Sequence, residues 1–292
     1  MHNNKLNISR RQLLVSGSQC LLAAPFLGLA GCGGGAGSTT TAGTTSSSSA
    51  TTTTTTTEAS SGWAAGGTDL ITVDYPADTI FADSGSCSIS LTESTTEGPC
   101  YMGVNEREDI AEGETGLPMQ LCLQLVDEDC NPLSGYLIEV WHCNTDGLYS
   151  GNTSDSDVDD TSSWAGSFCT DNDSQALAST WFRGEQTTDS SGRVNFKTCF
   201  PGWYSGRTIH IHFRVRNGGG DYVVSQFCFS DSFCETICTT HELYSDRGEQ
   251  DTPLSGGRDT VFPSSGYEDF MLNTEQNSDG TLLGYRRIMI SA

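Results

Sequence analysis

From residue 209 to 216 the chain alternates without a break. Ile209, Ile211, Phe213 and Val215 are apolar, and His210, His212, Arg214 and Arg216 are polar. A period of two places each set on one face of a β-strand, with the apolar set toward a core. The pattern recurs along the chain. Residues 118–126 set Met119, Leu121, Leu123 and Leu125 on one face, and residues 136–143 do the same with Tyr136, Ile138, Val140 and His142. Residues 193–198 point Val194 and Phe196 one way, and residues 222–229 and 282–290 read as further strands. Asp127-Glu128-Asp129-Cys130-Asn131-Pro132 and Asp189-Ser190-Ser191-Gly192 are turn sequences between such segments. No long stretch keeps a helical period. Short, punctuated strands predict an all-β chain, an antiparallel β-sandwich. Long loops at about 144–180 and 230–280 leave room for short helices and site residues.

That sandwich is expected over residues 63–292. Residues 1–32 read as an export leader: Ser9-Arg10-Arg11-Gln12-Leu13-Leu14 is a twin-arginine pattern. The apolar stretch behind it is short and interrupted by Pro25, too broken for a transmembrane anchor. It ends in Leu29-Ala30-Gly31-Cys32, a lipoprotein-type cleavage box that would leave Cys32 as a lipidated first residue. Residues 33–62 are almost wholly Gly, Ser, Thr and Ala, which cannot bury enough apolar surface to offset chain entropy and so predict a flexible tether. A periplasmic or cell-surface location is expected, with membrane contact only through the N-terminal lipid. The net charge of −23 excludes a nucleic-acid partner, whose phosphates need a basic face.

Of the twelve cysteines, Cys20 and Cys32 lie in the leader. Cys87, Cys100, Cys122, Cys130, Cys143, Cys169, Cys199, Cys228, Cys234 and Cys238 remain, an even number in an oxidising compartment, and disulfides are the expected explanation. A zinc cluster at Cys228, Cys234 and Cys238 is the weaker alternative, since no CxxC pair exists. Asp155, Asp157, Asp159 and Asp160 lack the Gly and Glu of a calcium loop and read as a solvated acidic segment.

The chemistry concentrates around the histidine strand. His210 and His212 leave one face together, with Tyr204 and Arg207 just upstream. Imidazoles beside a phenol suit a metal that prefers nitrogen and oxygen donors to thiolates. Two neutral imidazoles need anionic partners to hold a trivalent ion, and a coordinated phenol supplies one. Tyr204 is one candidate. Tyr149, which by spacing alone is an ordinary loop aromatic, is another. His142 reads as structural, His241 has no assigned role, and Ser205 lacks the partners of a hydrolase triad. Phe200 and Trp203 read equally as site packing or core.

Five segments in order resemble the intradiol ring-cleavage dioxygenases: Gly-Pro-Cys-Tyr at 98–101, Trp141 to Tyr149, Phe182-Arg183-Gly184-Glu185-Gln186-Thr187-Thr188-Asp189, residues 201–212, and Ser225-Gln226-Phe227. The resemblance covers roughly residues 85–265 and is nearest to the exported, single-domain members. It implies non-haem iron(III) held by Tyr149, Tyr204, His210 and His212, with Tyr204 the tyrosinate that substrate displaces. It also implies Arg207 and Gln226 beside a catechol-type diol. O2 would be the co-substrate and a muconate-type diacid the product, the ring being cut between the two hydroxyl-bearing carbons. The chain departs from the family at Tyr101, where many members pair two aromatics, and in its cysteine content. The helical dimerising segment of the catechol enzymes is not evident, so the oligomeric state stays open. The alternative function is a non-catalytic, metal-stabilised sandwich that binds aromatic or surface ligands.

Overall fold

The computed structural model describes residues 62–82, 90–151, 163–218 and 220–292. The chain divides into Met1–Thr57 and Glu58–Ala292, and the described residues all belong to the second unit. The leader, Cys32, the tether, Cys87 and the acidic segment with Asp155, Asp157, Asp159 and Asp160 lie outside the described residues.

Two four-stranded sheets form the expected sandwich. The strands are β1 (Pro118–Val126), β2 (Leu137–Trp141), β3 (Arg183–Thr187), β4 (Arg193–Cys199), β5 (His210–Asn217), β6 (Gly220–Cys228), β7 (Asn273–Gln276) and β8 (Leu282–Met289). One sheet has the order β4-β1-β8-β7 and the other β3-β2-β5-β6. All pairings between these strands are antiparallel except β1 with β8, which run parallel. The long loops carry helices α1 (Ser163–Thr170), α2 (Ser174–Ala178) and α3 (Asp231–Thr240).

The alternating residues close on each other between the sheets. Met119, Leu121, Leu123 and Leu125 of β1 join Ile138 and Val140 of β2, and Ile211, Phe213 and Val215 of β5, in one core. Each such side chain, fully buried, contributes about 1.5–3 kcal/mol. The opposite face of β1 is buried too. Gln120 and Cys122 lie under residues 71–82, where Gln120 Nε2 donates to Val73 O at 3.0 Å and Cys122 packs with Phe81, and Gln124 Nε2 donates to Ser191 O at 3.1 Å. Turn chemistry matches the sequence. Asp189 Oδ1 accepts from the amides of Ser191 and Arg193 at 2.8 and 2.9 Å. Gly192 has φ +71, and a Cβ there would lie 2.3 Å from Leu125 O, so only glycine closes this turn.

The cysteines correct the expectation of a general disulfide framework. Cys100 is bonded to Cys169, and Cys130 is also disulfide-bonded. Cys122, Cys143, Cys199, Cys228, Cys234 and Cys238 are buried thiols that form no disulfide. A buried thiol packs as a small apolar group, and burial pushes the Cys122 and Cys228 thiols up to about 12, out of thiolate chemistry. The zinc alternative gains nothing, because no three His, Cys, Asp or Glu side chains gather as a cation site among the described residues.

The site lies on the other face of the second sheet. Across it, one row reads Arg183, Trp141, His212, Gln226, and the next reads Glu185, Glu139, Arg214, Val224. Glu139, Trp141, His212 and Gln226 are all buried, because loops cover this face.

Candidate metal centre

Strand β5 delivers both imidazoles to that covered face. His210 Nδ1 lies 2.6 Å from Thr208 O, which places the proton on Nδ1 and leaves the Nε2 lone pair facing inward. His212 stacks on Trp141 with ring centroids 5.0 Å apart and an interplanar angle of 12°. Gly98 runs close over the His212 ring: a Cβ there would lie 3.2 Å from Cε1, and φ is +77.

Two loops bring in the phenols. After β2, Asn144 Oδ1 accepts from the amides of Asp146 and Leu148, both at 3.0 Å, and this turn aims Tyr149 back at the strand. Gly202 N donates to Asn144 O at 3.0 Å, tying the Tyr204 loop to the first. Arg247 clamps both, donating to Thr145 O at 3.2 Å and Trp203 O at 2.8 Å. Gly147, with φ +77, lets the loops meet, since a Cβ there would lie 2.2 Å from Trp203 O.

Four donor atoms converge as a result. His210 Nε2 lies 3.1 Å from His212 Nε2, and 3.2 Å from each of the Tyr149 and Tyr204 hydroxyls. The Tyr149 hydroxyl is also 3.2 Å from His212 Nε2. Donors held about 2.0–2.2 Å from a shared ion, at angles of about 90–110°, sit about 2.9–3.5 Å from one another. The spacing therefore fits one metal ion. The donor set, two imidazoles and two oxygens, fits iron or another metal of that preference. Burial, then the nearby Arg207, keeps both imidazoles well below their ordinary pKa and hence neutral. Burial holds the Tyr149 phenol well above its ordinary value, with Tyr204 adding to the rise. Burial also raises Tyr204, against the pull of Arg207. A cation is the charge that would turn these phenols into anionic ligands.

Arg207 and Gln226 lie beside the donors. Arg207 Nη2 donates to Gln226 Oε1 at 2.6 Å, and Nη1 is 3.5 Å from His210 Nε2. Gln226 Nε2 donates to Thr96 O at 2.8 Å, which fixes the direction of its amide. Asp259 completes the network and had no signal in the sequence. Its Oδ2 accepts from Arg207 Nε at 3.0 Å and Thr208 N at 2.8 Å, and its Oδ1 from the amides of Val261 and Phe262. Arg247 was equally unmarked. Tyr101 lies against Trp141, ring centroids 4.9 Å apart, and its hydroxyl donates to Glu139 Oε2 at 2.9 Å, not to the four donors.

The remaining histidines bond within the fold. His142 is satisfied by Cys143 O at 2.8 Å and Thr198 Oγ1 at 2.7 Å, and His241 Nε2 meets Ala64 O at 3.0 Å. Phe200 belongs to the main core, and Trp203 packs against it. The Cys100–Cys169 disulfide joins the Gly98 loop to α1, whose Phe168 meets Tyr204 edge to face at 6.1 Å. Cys169→Ser should destabilise the protein by ~2–4 kcal/mol, read as a lower denaturant midpoint. An unchanged midpoint would show the bond to be idle.

A dioxygenase family model matches residues 97–240, a span that contains all six of these side chains. The chain is 28% identical over 115 residues to a chlorocatechol 1,2-dioxygenase of Pseudomonas putida, covering 33% of this chain and only 36% of that relative. Among solved structures, it is similar to an intradiol ring-cleavage dioxygenase from Tetranychus urticae, with a TM-score of 0.58 and 27% identity over 69% of this chain and 95% of that one.

Proposed function

The chain belongs to the intradiol ring-cleavage dioxygenase family, and from that premise we propose that it is a non-haem iron(III) enzyme that opens a catechol-type diol with O2. The observation that carries this reading is the convergence of the Tyr149, Tyr204, His210 and His212 donor atoms at 3.1–3.2 Å. Those four side chains would hold the ion. A ferric ion there would supply Lewis acidity toward the diol and electron capacity toward O2. Both oxygen atoms enter the product, the carbon–carbon bond between the two hydroxyl-bearing carbons breaks, and a muconate-type diacid results.

The chain's own groups have distinct tasks. Tyr204 is the more exposed phenol, at 8% against 2% for Tyr149, and its hydroxyl lies 3.2 Å from His210 Nε2. It is the donor suited to swing aside and take a diol proton on its hydroxyl oxygen. Arg207, fixed by Asp259 and Gln226, is a preorganised cation for negative charge developing on the diol. Gln226 sets the guanidinium plane and borders the diol. Trp141, stacked on His212, and Phe168, against Tyr204, wall the centre against water.

The test is colour with oxygen uptake. Iron(III)-loaded protein should show a tyrosinate charge-transfer band that shifts on adding a catechol, and oxygen should be consumed across at least one member of a diol panel. Colour without uptake would favour the alternative, a metal-stabilised module that binds aromatic ligands without turnover. Retention of Arg207 and Gln226 beside the donors favours the enzyme. We also propose export and lipid anchoring at Cys32, supported by the leader sequence. Cys32→Ser should then move the protein from the membrane fraction to the soluble exported fraction. Membrane association that survives the change would refute the anchor.

A further inference from the structure

Arg183 opens β3 in the same row as Trp141, His212 and Gln226, so its guanidinium shares the covered face with the metal-facing imidazole. The residue is 2% exposed. Its Nε donates to Ser150 Oγ at 2.9 Å and its Nη2 to Ser150 O at 2.7 Å. Nη1 is buried with no hydrogen-bond partner, and no carboxylate pairs with Arg183 among the described residues. A buried cation without a counter-anion is costly.

The fold accepts a second cost at the same place. Phe182, just before it, has φ +53, a left-handed conformation that bulky side chains rarely adopt. Stacking on His142 at 4.6 Å and a bond from its amide to Ile110 O at 2.5 Å hold it there. This turn delivers Arg183 over the Tyr149 ring, its guanidinium carbon 5.9 Å from the ring centroid. Two phenols act on Arg183, those of Tyr149 and Tyr101. Tyr101 keeps its proton, which it donates to Glu139, so the oxygen of Tyr149, when it serves as a metal ligand, is the one suited to supply the missing negative charge.

We propose that Arg183 is a positioning residue for Tyr149: a built-in counter-charge that holds the ligand phenolate and sets how strongly its oxygen donates. The inference rests on the function proposed above. A positive charge near a phenolate stabilises its electrons by simple Coulomb attraction. Charge transfer from Tyr149 to iron(III) then requires more energy than it would without Arg183. Neutralising the residue should move the visible band to longer wavelength and weaken iron retention by roughly tenfold or more, the usual scale for groups that orient metal ligands.

The test uses the full chain loaded with iron(III), as wild type, Arg183→Gln and Arg183→Lys. Gln can still bond Ser150 but carries no charge, whereas Lys keeps the charge and loses the fork. The Gln variant should show the longer-wavelength band and lose iron faster to a chelator, and the Lys variant should stay near wild type. If the two variants shift alike, or neither shifts, Arg183 merely ties down Ser150 and the proposal is overturned. Should Arg183→Gln not fold, the Lys variant decides: a band at the wild-type position supports the counter-charge and a displaced band refutes it. A wild-type protein that binds iron(III) without any tyrosinate band would overturn the proposed function itself, a result distinct from failure of the variants.

Discussion

Replacing Arg207 with alanine should leave iron bound and slow ring cleavage by about 10²–10³-fold, the usual loss when one preorganised charge-stabilising group is removed. None of the four donors is touched by the change. What disappears is the guanidinium whose Nη1 sits 3.5 Å from His210 Nε2 and whose Nη2 is fixed on Gln226. The loss should fall on kcat, with iron content and the visible band retained. One structural consequence must be separated from the chemical one. Asp259, its side chain 3% exposed, loses its ion-pair partner, although three backbone amides still serve it. The double variant Arg207→Ala/Asp259→Asn removes that stranded charge. It should regain stability without regaining turnover. Turnover at the wild-type rate in Arg207→Ala would remove the charge-stabilising role.

Glu139→Ala should cost about 3–5 kcal/mol of stability, the scale for breaking a buried ion pair from one side. Glu139 is fully buried. Its Oε1 lies 2.6 Å from Arg216 Nε, its Oε2 accepts the Tyr101 hydroxyl, and Arg214 Nε is 3.8 Å away. Burial pushes the carboxyl above its ordinary range, and Tyr101, Arg216 and Arg214 pull it back. The Arg216 contact is a close charge pairing without hydrogen-bond geometry. Without the carboxylate, Arg214 keeps its outer partners Glu97 and Asp221, and Arg216 keeps Glu185. At about 2–4 °C per kcal/mol for a domain of this size, the melting temperature should fall by roughly 10 °C. The damage should also reach the metal centre, because Tyr101 packs on Trp141 and Trp141 stacks on His212. Glu139→Gln preserves the shape and isolates the charge. It should show most of the loss, and a Gln variant as stable as wild type would mean the pair contributes nothing.

The strands visible in the sequence were those with one apolar face against the core. β5 is the clearest case, where four alternating residues all reach the interior. β3 was quoted as a motif but not read as a strand, because Arg183, Glu185 and Thr187 carry no apolar alternation. Its partners are ionic or polar: Glu185 pairs with Arg216, and Arg183 bonds Ser150. β7 is a short polar edge and left no pattern. The parallel contact of β1 with β8 spans most of the domain, beyond any local signal.

The site was legible in part for the same reason. Period two places His210 and His212 together. Tyr149 and Tyr204 come from loops, and only the order of motifs singled them out. Asp259 reaches Arg207 across fifty-two residues of chain, and Arg247 bridges two loops from a third. Neither follows from spacing. The cysteines misled because an even count says nothing about distance. A disulfide needs its Cα atoms within about 7 Å, and Cys100 and Cys169 meet that at 5.6 Å.

The most direct test of the four-donor centre is an iron(III) titration followed by visible absorption, on wild type, Tyr149→Phe, Tyr204→Phe and the double variant. The band should saturate at one iron per chain, lose intensity in each single variant and vanish in the double. A band that persists in the double variant, or iron that binds tightly with no band in wild type, would contradict the four-donor centre.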